Sequence, residues 1–147
     1  MKNVLFVCTG NTCRSPIAEM MLRQKQDPTI DVKSAGVFAS VGSDASDGTK
    51  QVLTEKGLEC DHSSQQLTEE LINWATVILT MTEGHKYAIL QRFPDALPKL
   101  YTLKEFVEGA EVDKDIQDPF GGPVETYRTT AAEIERLVNK LPEALEQ

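Results

Sequence analysis

The chain reads as an α/β protein: a parallel sheet with helices on both faces. Two observations lead there. Short apolar runs within residues 3–7, 31–35, 75–81 and 97–103 alternate with segments of helical length and pattern. The run Ala75 to Met81 is apolar almost without a break, as in a strand covered on both sides. On such sheets ligands bind beyond the carboxyl ends of the strands, at a switch in strand order. The loop after the first strand is therefore the expected place for a site.

Each element has its own signal. Residues 3–7 form a short buried strand by composition. Residues 16–26 are predicted helical. Ile17, Met20, Met21 and Gln24 recur at helical spacing, which leaves Glu19 and Arg23 for the exposed side. Asp31 to Ala35 is the second strand, followed by a loop through Gly42. A helix over 45–56 ends near Gly57. Thr68 is placed to cap a short helix with Glu69 and Glu70 in its first turn. Ala75 to Met81 is the third strand, Glu83 to Arg92 is helical, and 97–103 contains the fourth strand. A polar loop covers about 108–123. The last helix spans 124–145, with Val124, Tyr127, Ala131, Ile134, Leu137, Val138 and Leu141 on one face.

The bulk numbers bound the partners. A chain of 147 residues is expected to form one domain over 1–147. Its net charge of −8 argues against nucleic acid, which needs a basic surface. No apolar run approaches the roughly 20 residues of a membrane span. The N-terminus runs straight into a strand, so no signal peptide is expected and the cytoplasm is the expected compartment. Three cysteines make no disulfide framework there. A monomer is expected. With only His62 and His85, no histidine cluster offers a metal site, and no cofactor is implied.

The most informative stretch is Cys8-Thr9-Gly10-Asn11-Thr12-Cys13-Arg14-Ser15, directly after Val4-Leu5-Phe6-Val7. A strand that ends in a tight turn and opens a helix aims backbone N–H groups at one spot and adds the positive end of the helix dipole. Gly10 and Asn11 suit the positive φ that such a cradle needs. Pro16 suits the first turn, where a missing N–H costs nothing. Arg14 is permanently charged, and its fork matches two phosphate oxygens. The same field favours a thiolate at Cys8, and Ser15 is placed to donate to its sulfur. The pattern is a cysteine nucleophile in a phosphate-binding loop. Such chemistry needs a general acid for the leaving group. Asp113, Asp115 and Asp118 are the candidates, and Asp118 is favoured. Pro119 stiffens its backbone, Gly121-Gly122 allow the loop to fold over, and Phe120 supplies an apolar wall.

These stretches, with Ser34-Ala35-Gly36 and His62 ahead of Gln66-Leu67-Thr68, resemble the low-molecular-weight phosphotyrosine protein phosphatase family over nearly the whole chain. The resemblance implies a four-stranded parallel sheet flanked by helices, with the phosphate loop after the first strand. It implies Cys8 as nucleophile, Arg14 as phosphate and transition-state ligand, and Asp118 as general acid and later base. Thr9, Gly10, Asn11, Thr12, Cys13, Arg14, Ser15 and Phe120 would line the phosphate and substrate pocket. Asn11, Ser15, Ser34 and His62 match a network that shapes the loop.

Within the family the chain is more similar to the bacterial protein arginine phosphatase branch. Thr12 stands where tyrosine-directed members usually carry an aliphatic residue, and Phe120-Gly121 where many carry tyrosine and a second aromatic. A phosphotyrosine ring prefers apolar walls, whereas a desolvated phosphoguanidino group needs polar partners, which the Thr12 hydroxyl can supply. The branch implies phosphoarginine in proteins as substrate, and a role opposing a protein arginine kinase in stress regulation. The alternative is a phosphotyrosine phosphatase with the same machinery. An arsenate reductase would need two further cysteines close together, and Cys60 stands alone. A phosphoprotein-binding module could dispense with Cys8 or Asp118, yet both are present. Cys13 is either a packing residue or the thiol that traps an oxidised Cys8 as a disulfide. Cys60 reads as structural.

Overall fold

In the computed structural model, residues 1–109 and 113–146 are described. Residues 110–112, within the expected polar loop, lie outside them. Four strands form one sheet in the order β2-β1-β3-β4: β1 (Lys2–Cys8), β2 (Ile30–Gly36), β3 (Val77–Thr80) and β4 (Leu100–Thr102). All neighbours are parallel, as expected. The register sets Cys8 beside Gly36 on one side and Val7 beside Thr80 on the other. The chain leaves β1 toward β2, then crosses back to β3. The strand order therefore switches beside β1, and the loop after Cys8 lies at that crevice.

Period-two alternation in β1 divides the core. Val4, Phe6 and Cys8 belong to the layer built with α1 (Arg14–Gln24) and α6 (Val124–Leu145). Leu5 and Val7 belong to the layer under α3 (Glu69–Trp74) and α4 (Glu83–Arg92). All five are buried, so the strand reads as continuous apolar sequence. The α6 face lies as expected: Tyr127, Ala131, Ile134, Leu137, Val138 and Leu141 are buried, while Val124 is only partly so. Thr68 caps α3 by accepting from Leu71 N, worth about 1 kcal/mol. The α2 helix (Asp47–Glu55) is capped by Ser46.

One expectation changes, and two details are added. In α1, Gln24 is exposed and Glu19 is buried, the reverse of the periodicity argument. The helix is enclosed by α6, β2 and α2, so residues 14–22 are covered on every side. The fourth strand is only Leu100–Thr102, preceded by a 3₁₀ segment at Pro94–Lys99. A short helix, α5 (Leu103–Glu108), follows it. Its signal is Thr102-Leu103-Lys104-Glu105, a reciprocal capping box in which Thr102 accepts from Glu105 N and Glu105 from Thr102 N.

Gly36 ties the sheet to the loop after β1. A Cβ there would lie 2.5 Å from Thr9 O and 3.0 Å from Asn11 N, both backbone atoms that cannot swing aside. Gly84, in α4, meets nothing closer than 3.5 Å. Gly36→Ala is expected to cost about 1–3 kcal/mol in urea unfolding by forcing the loop off the sheet. Gly84→Ala is expected to be neutral or to stabilise by up to about 1 kcal/mol. Equal effects in the two variants would contradict this packing.

Candidate active site

Cys8 ends β1, 2% exposed. The chain turns through Thr9–Cys13, and α1 begins at Arg14. No side chain caps α1, so the N–H groups of Arg14 and Ser15 are left for another acceptor. Asn11 takes the left-handed conformation, with φ 58°. Gly10 does not, contrary to expectation. Asparagine manages it because its side chain is anchored: Nδ2 donates to Ser15 Oγ (2.8 Å) and Ser34 Oγ (2.9 Å), and Oδ1 accepts from Gln65 N (2.9 Å).

The donors and acceptors set the direction of this network. Ser15 Oγ accepts from Asn11, so its own proton is free for Cys8 Sγ, 2.9 Å away. Ser34 likewise accepts from Asn11 and donates to Glu19 Oε1. His62 closes the ring: Nε2 donates to Asn11 O (2.6 Å), and Nδ1 lies 3.5 Å from Glu19 Oε1. Burial alone would keep both groups neutral. For His62, bonds to Glu19 and the Asn11 carbonyl outweigh burial and raise it above the usual histidine value. For Glu19, bonds from His62 and Ser34 and the Arg23 charge outweigh burial and hold the carboxyl below its usual value. Asn11, Ser15, Ser34, His62 and Glu19 thus meet in one network.

Arg14 is 4% exposed. Its Nη1 donates to Ile116 O (2.9 Å), and Nη2 lies 3.6 Å from Asp118 Oδ2. Its buried Nε has no partner among the described residues. The guanidinium is held at one corner and keeps donors for an anion. Asp118 accepts from Phe120 N (3.0 Å) and keeps its side chain half exposed. The other two aspartates are engaged elsewhere. Asp113 accepts from Asp115 N, and Asp115 accepts from Glu83 N at the start of α4. Above the loop lies a pocket of about 300 Å³. Cys8, Thr9, Gly10, Thr12, Cys13 and Arg14 form its base, and Asp118 and Phe120 stand at its rim with Phe38 and Ser40. The described residues hold no cluster suited to a metal ion. No described helix is long and apolar enough to cross a membrane.

Two neighbours of the loop escaped the sequence reading. The Tyr127 hydroxyl, expected only on a core face, lies 3.6 Å from Cys13 Sγ, and Ser46 Oγ lies 3.3 Å away. Gly48 makes room for the Tyr127 ring, since a Cβ would come within 2.4 Å of it. All three cysteines are free thiols; Cys60 is only partly buried, and that burial pushes its thiol up. The second neighbour is His85. Its Nε2 lies 2.8 Å from Thr9 Oγ1, and it is 7% exposed. The signal was topological: His85 opens the helix after β3, on the same sheet edge as the loop after β1.

Burial first, and then the Arg14 charge, push His85 down to about 4. It is neutral beside the loop at ordinary pH. Because its folded value is depressed, stability is complete above about 6.5 and falls as pH drops toward about 4, where the unfolded chain binds a proton that the folded chain refuses. His85→Gln keeps a polar partner for Thr9 but does not titrate. Between pH 7 and 4.5, urea unfolding should show the parent losing on the order of 2 kcal/mol more stability than the variant. Equal losses would contradict a buried neutral His85.

The comparisons agree with this geometry. The chain matches the family described as low molecular weight phosphotyrosine protein phosphatase over residues 3–147. It is 57% identical over 143 residues to a protein-arginine-phosphatase of Geobacillus stearothermophilus, covering 97% of this chain and 95% of that one. The solved YwlE arginine phosphatase from Geobacillus stearothermophilus superposes with a TM-score of 0.96 at 55% identity, over 99% of this chain and 94% of that chain. A YwlE arginine phosphatase in which serine replaces the active-site cysteine, solved with that serine phosphorylated, superposes with a TM-score of 0.93 at 40% identity, over 99% and 96% of the two chains. With the strand, loop and helix in place around Cys8 and Arg14, the chain belongs to the low-molecular-weight phosphotyrosine protein phosphatase family.

Proposed function

We propose that this chain is a protein phosphatase that hydrolyses phosphoarginine through a phosphocysteine on Cys8. The observation that carries the phosphoryl chemistry is the buried Arg14, restrained by Ile116 O and facing Asp118, with Nε unpartnered among the described residues, in a pocket that Cys8 also lines. Phosphoarginine as the substrate is supported by Thr12, a hydroxyl-bearing residue of the pocket lining, and by the relatives named above.

In this reading the Cys8 thiolate attacks phosphorus in line while the P–N bond breaks. Arg14 and the loop N–H groups hold the three equatorial oxygens as charge redistributes. Asp118, in its acid form, delivers a proton to the departing guanidine nitrogen. The resulting carboxylate then takes a proton from water as that water attacks the phosphocysteine, which releases inorganic phosphate and restores the thiolate. His85, neutral and bonded to Thr9, adds no second positive charge to compete for the anion. The substrate would be supplied by a protein arginine kinase.

A second reading, phosphotyrosine, uses the same steps. It is favoured by the exposed rings of Phe38 and Phe120 at the rim, which suit a phenyl group. The two leaving groups both need the acid, with conjugate-acid pKa values of about 10 for phenol and above about 12 for guanidine. Specificity for kcat/KM on matched phosphoarginine and phosphotyrosine peptides decides between them. The parent should prefer phosphoarginine, and Thr12→Ile should lose at least about tenfold of that preference, the cost of leaving a desolvated polar group without its partner. A parent preference for phosphotyrosine would overturn the arginine reading and leave the phosphocysteine chemistry standing.

A further inference from the structure

A second cavity, of about 150 Å³, adjoins the catalytic pocket. Leu67 and Ile89, both buried, form part of its lining, with Val37 and Phe93. Phe38 lines both spaces and is the partition between them. That ring is 87% exposed, so it is open to whatever enters either space. The partition is attached to the phosphate loop: Val37 N donates to Cys8 O (3.0 Å) and Phe38 N to Thr9 O (2.9 Å).

One face of α4 joins the two spaces. His85 reaches Thr9 in the phosphate loop, and Ala88, Ile89 and Arg92 line the cavity. Residues three, four and seven apart share a helical face. Along the axis, Ala88 and Ile89 lie only about 4.5–6 Å beyond His85. An extended peptide sets the side chains of residues i and i+2 on one side, about 6.6 Å apart. The spacing suits a peptide whose phosphorylated residue enters the catalytic pocket and whose second neighbour enters the cavity. A volume of this size has room for a benzene-sized group. The one charged lining residue, Arg92, rests its guanidinium over the Phe93 ring.

We infer that this cavity is a substrate subsite that takes an apolar side chain, of leucine or phenylalanine size, two residues from the phosphorylated residue of the polypeptide. The inference rests on the catalytic pocket being the phosphoryl-protein site proposed above. The kind of substrate it selects is an extended, locally unfolded segment, since only such a segment presents both side chains on one side.

The test is kcat/KM on peptides with Ser, Leu or Phe at the positions two before and two after the phosphorylated residue. One series carries phosphoarginine and a parallel series phosphotyrosine, with parent and Ala88→Leu, which fills the cavity. An aryl phosphate, too short to reach the cavity, measures the centre itself. Leu or Phe at one of the two positions should raise kcat/KM about tenfold over Ser in the parent. Ala88→Leu should erase that gain and leave aryl phosphate turnover unchanged. A flat series in the parent, or a gain that survives in Ala88→Leu, overturns the subsite. Failure of the phosphoarginine series alone would overturn only the arginine reading, because the phosphotyrosine series scores the cavity independently.

Discussion

Everything at the catalytic end of this molecule hangs on the side-chain amide of Asn11. The loop after β1 must bend sharply to aim its N–H groups inward, and that bend places a non-glycine residue at φ 58°. Strain of this kind persists only where the surroundings over-determine it. Here one amide, donating to Ser15 and Ser34 and accepting from Gln65 N, holds the backbone in place. The amide also imposes order on what it touches. Because it donates to both serines, each keeps its own proton for another partner: Ser34 donates to Glu19, and Ser15 lies within bonding distance of Cys8 Sγ. The buried charge of Glu19 is then answered by His62, which returns to the Asn11 carbonyl. A buried polar network is costly when incomplete, and this one closes on itself.

The sheet provides the frame. With β1 between β2 and β3, its loop has a strand end on either side. On one side Gly36 brings β2 to within backbone contact of Thr9 and Asn11. On the other, the helix after β3 presents His85 to Thr9. The late segment approaches from above, where Ile116 holds Arg14 and Asp118 faces it. Four stretches distant in sequence thus meet around one sulfur, which is why the site needs the whole fold although its central motif is eight residues long.

Much of this was legible in the sequence because local chemistry dictates it. The strand, loop and helix around Cys8, the cap at Thr68 and the apolar face of the last helix each follow from adjacent residues. What was not legible depended on partners far along the chain. Periodicity put Glu19 in water, because a pattern of apolar positions cannot know that Ser34 and His62 will satisfy a carboxylate. Gly10 and Asn11 both looked suited to positive φ, and Asn11 alone took that role because it found three partners. His85 and Tyr127 were silent for the same reason: one sits on a helix start and the other on a core face until the fold brings each to the loop. The capping box at Thr102 and Glu105 is different, since its signal was local and sufficient for α5.

The central claim is that this network prepares Cys8 to carry a phosphoryl group. The most direct measurement is a rapid denaturing quench of Asp118→Asn mixed with excess p-nitrophenyl phosphate, whose leaving group departs without an acid, followed by mass analysis of the peptide that contains Cys8. Without its carboxylate the second step lacks a base, so the account predicts one phosphoryl group on the Cys8 peptide, absent when Cys8→Ala is added. Substrate turnover with no phosphoryl group on Cys8 at any quench time, or turnover that survives in Cys8→Ala, would contradict it.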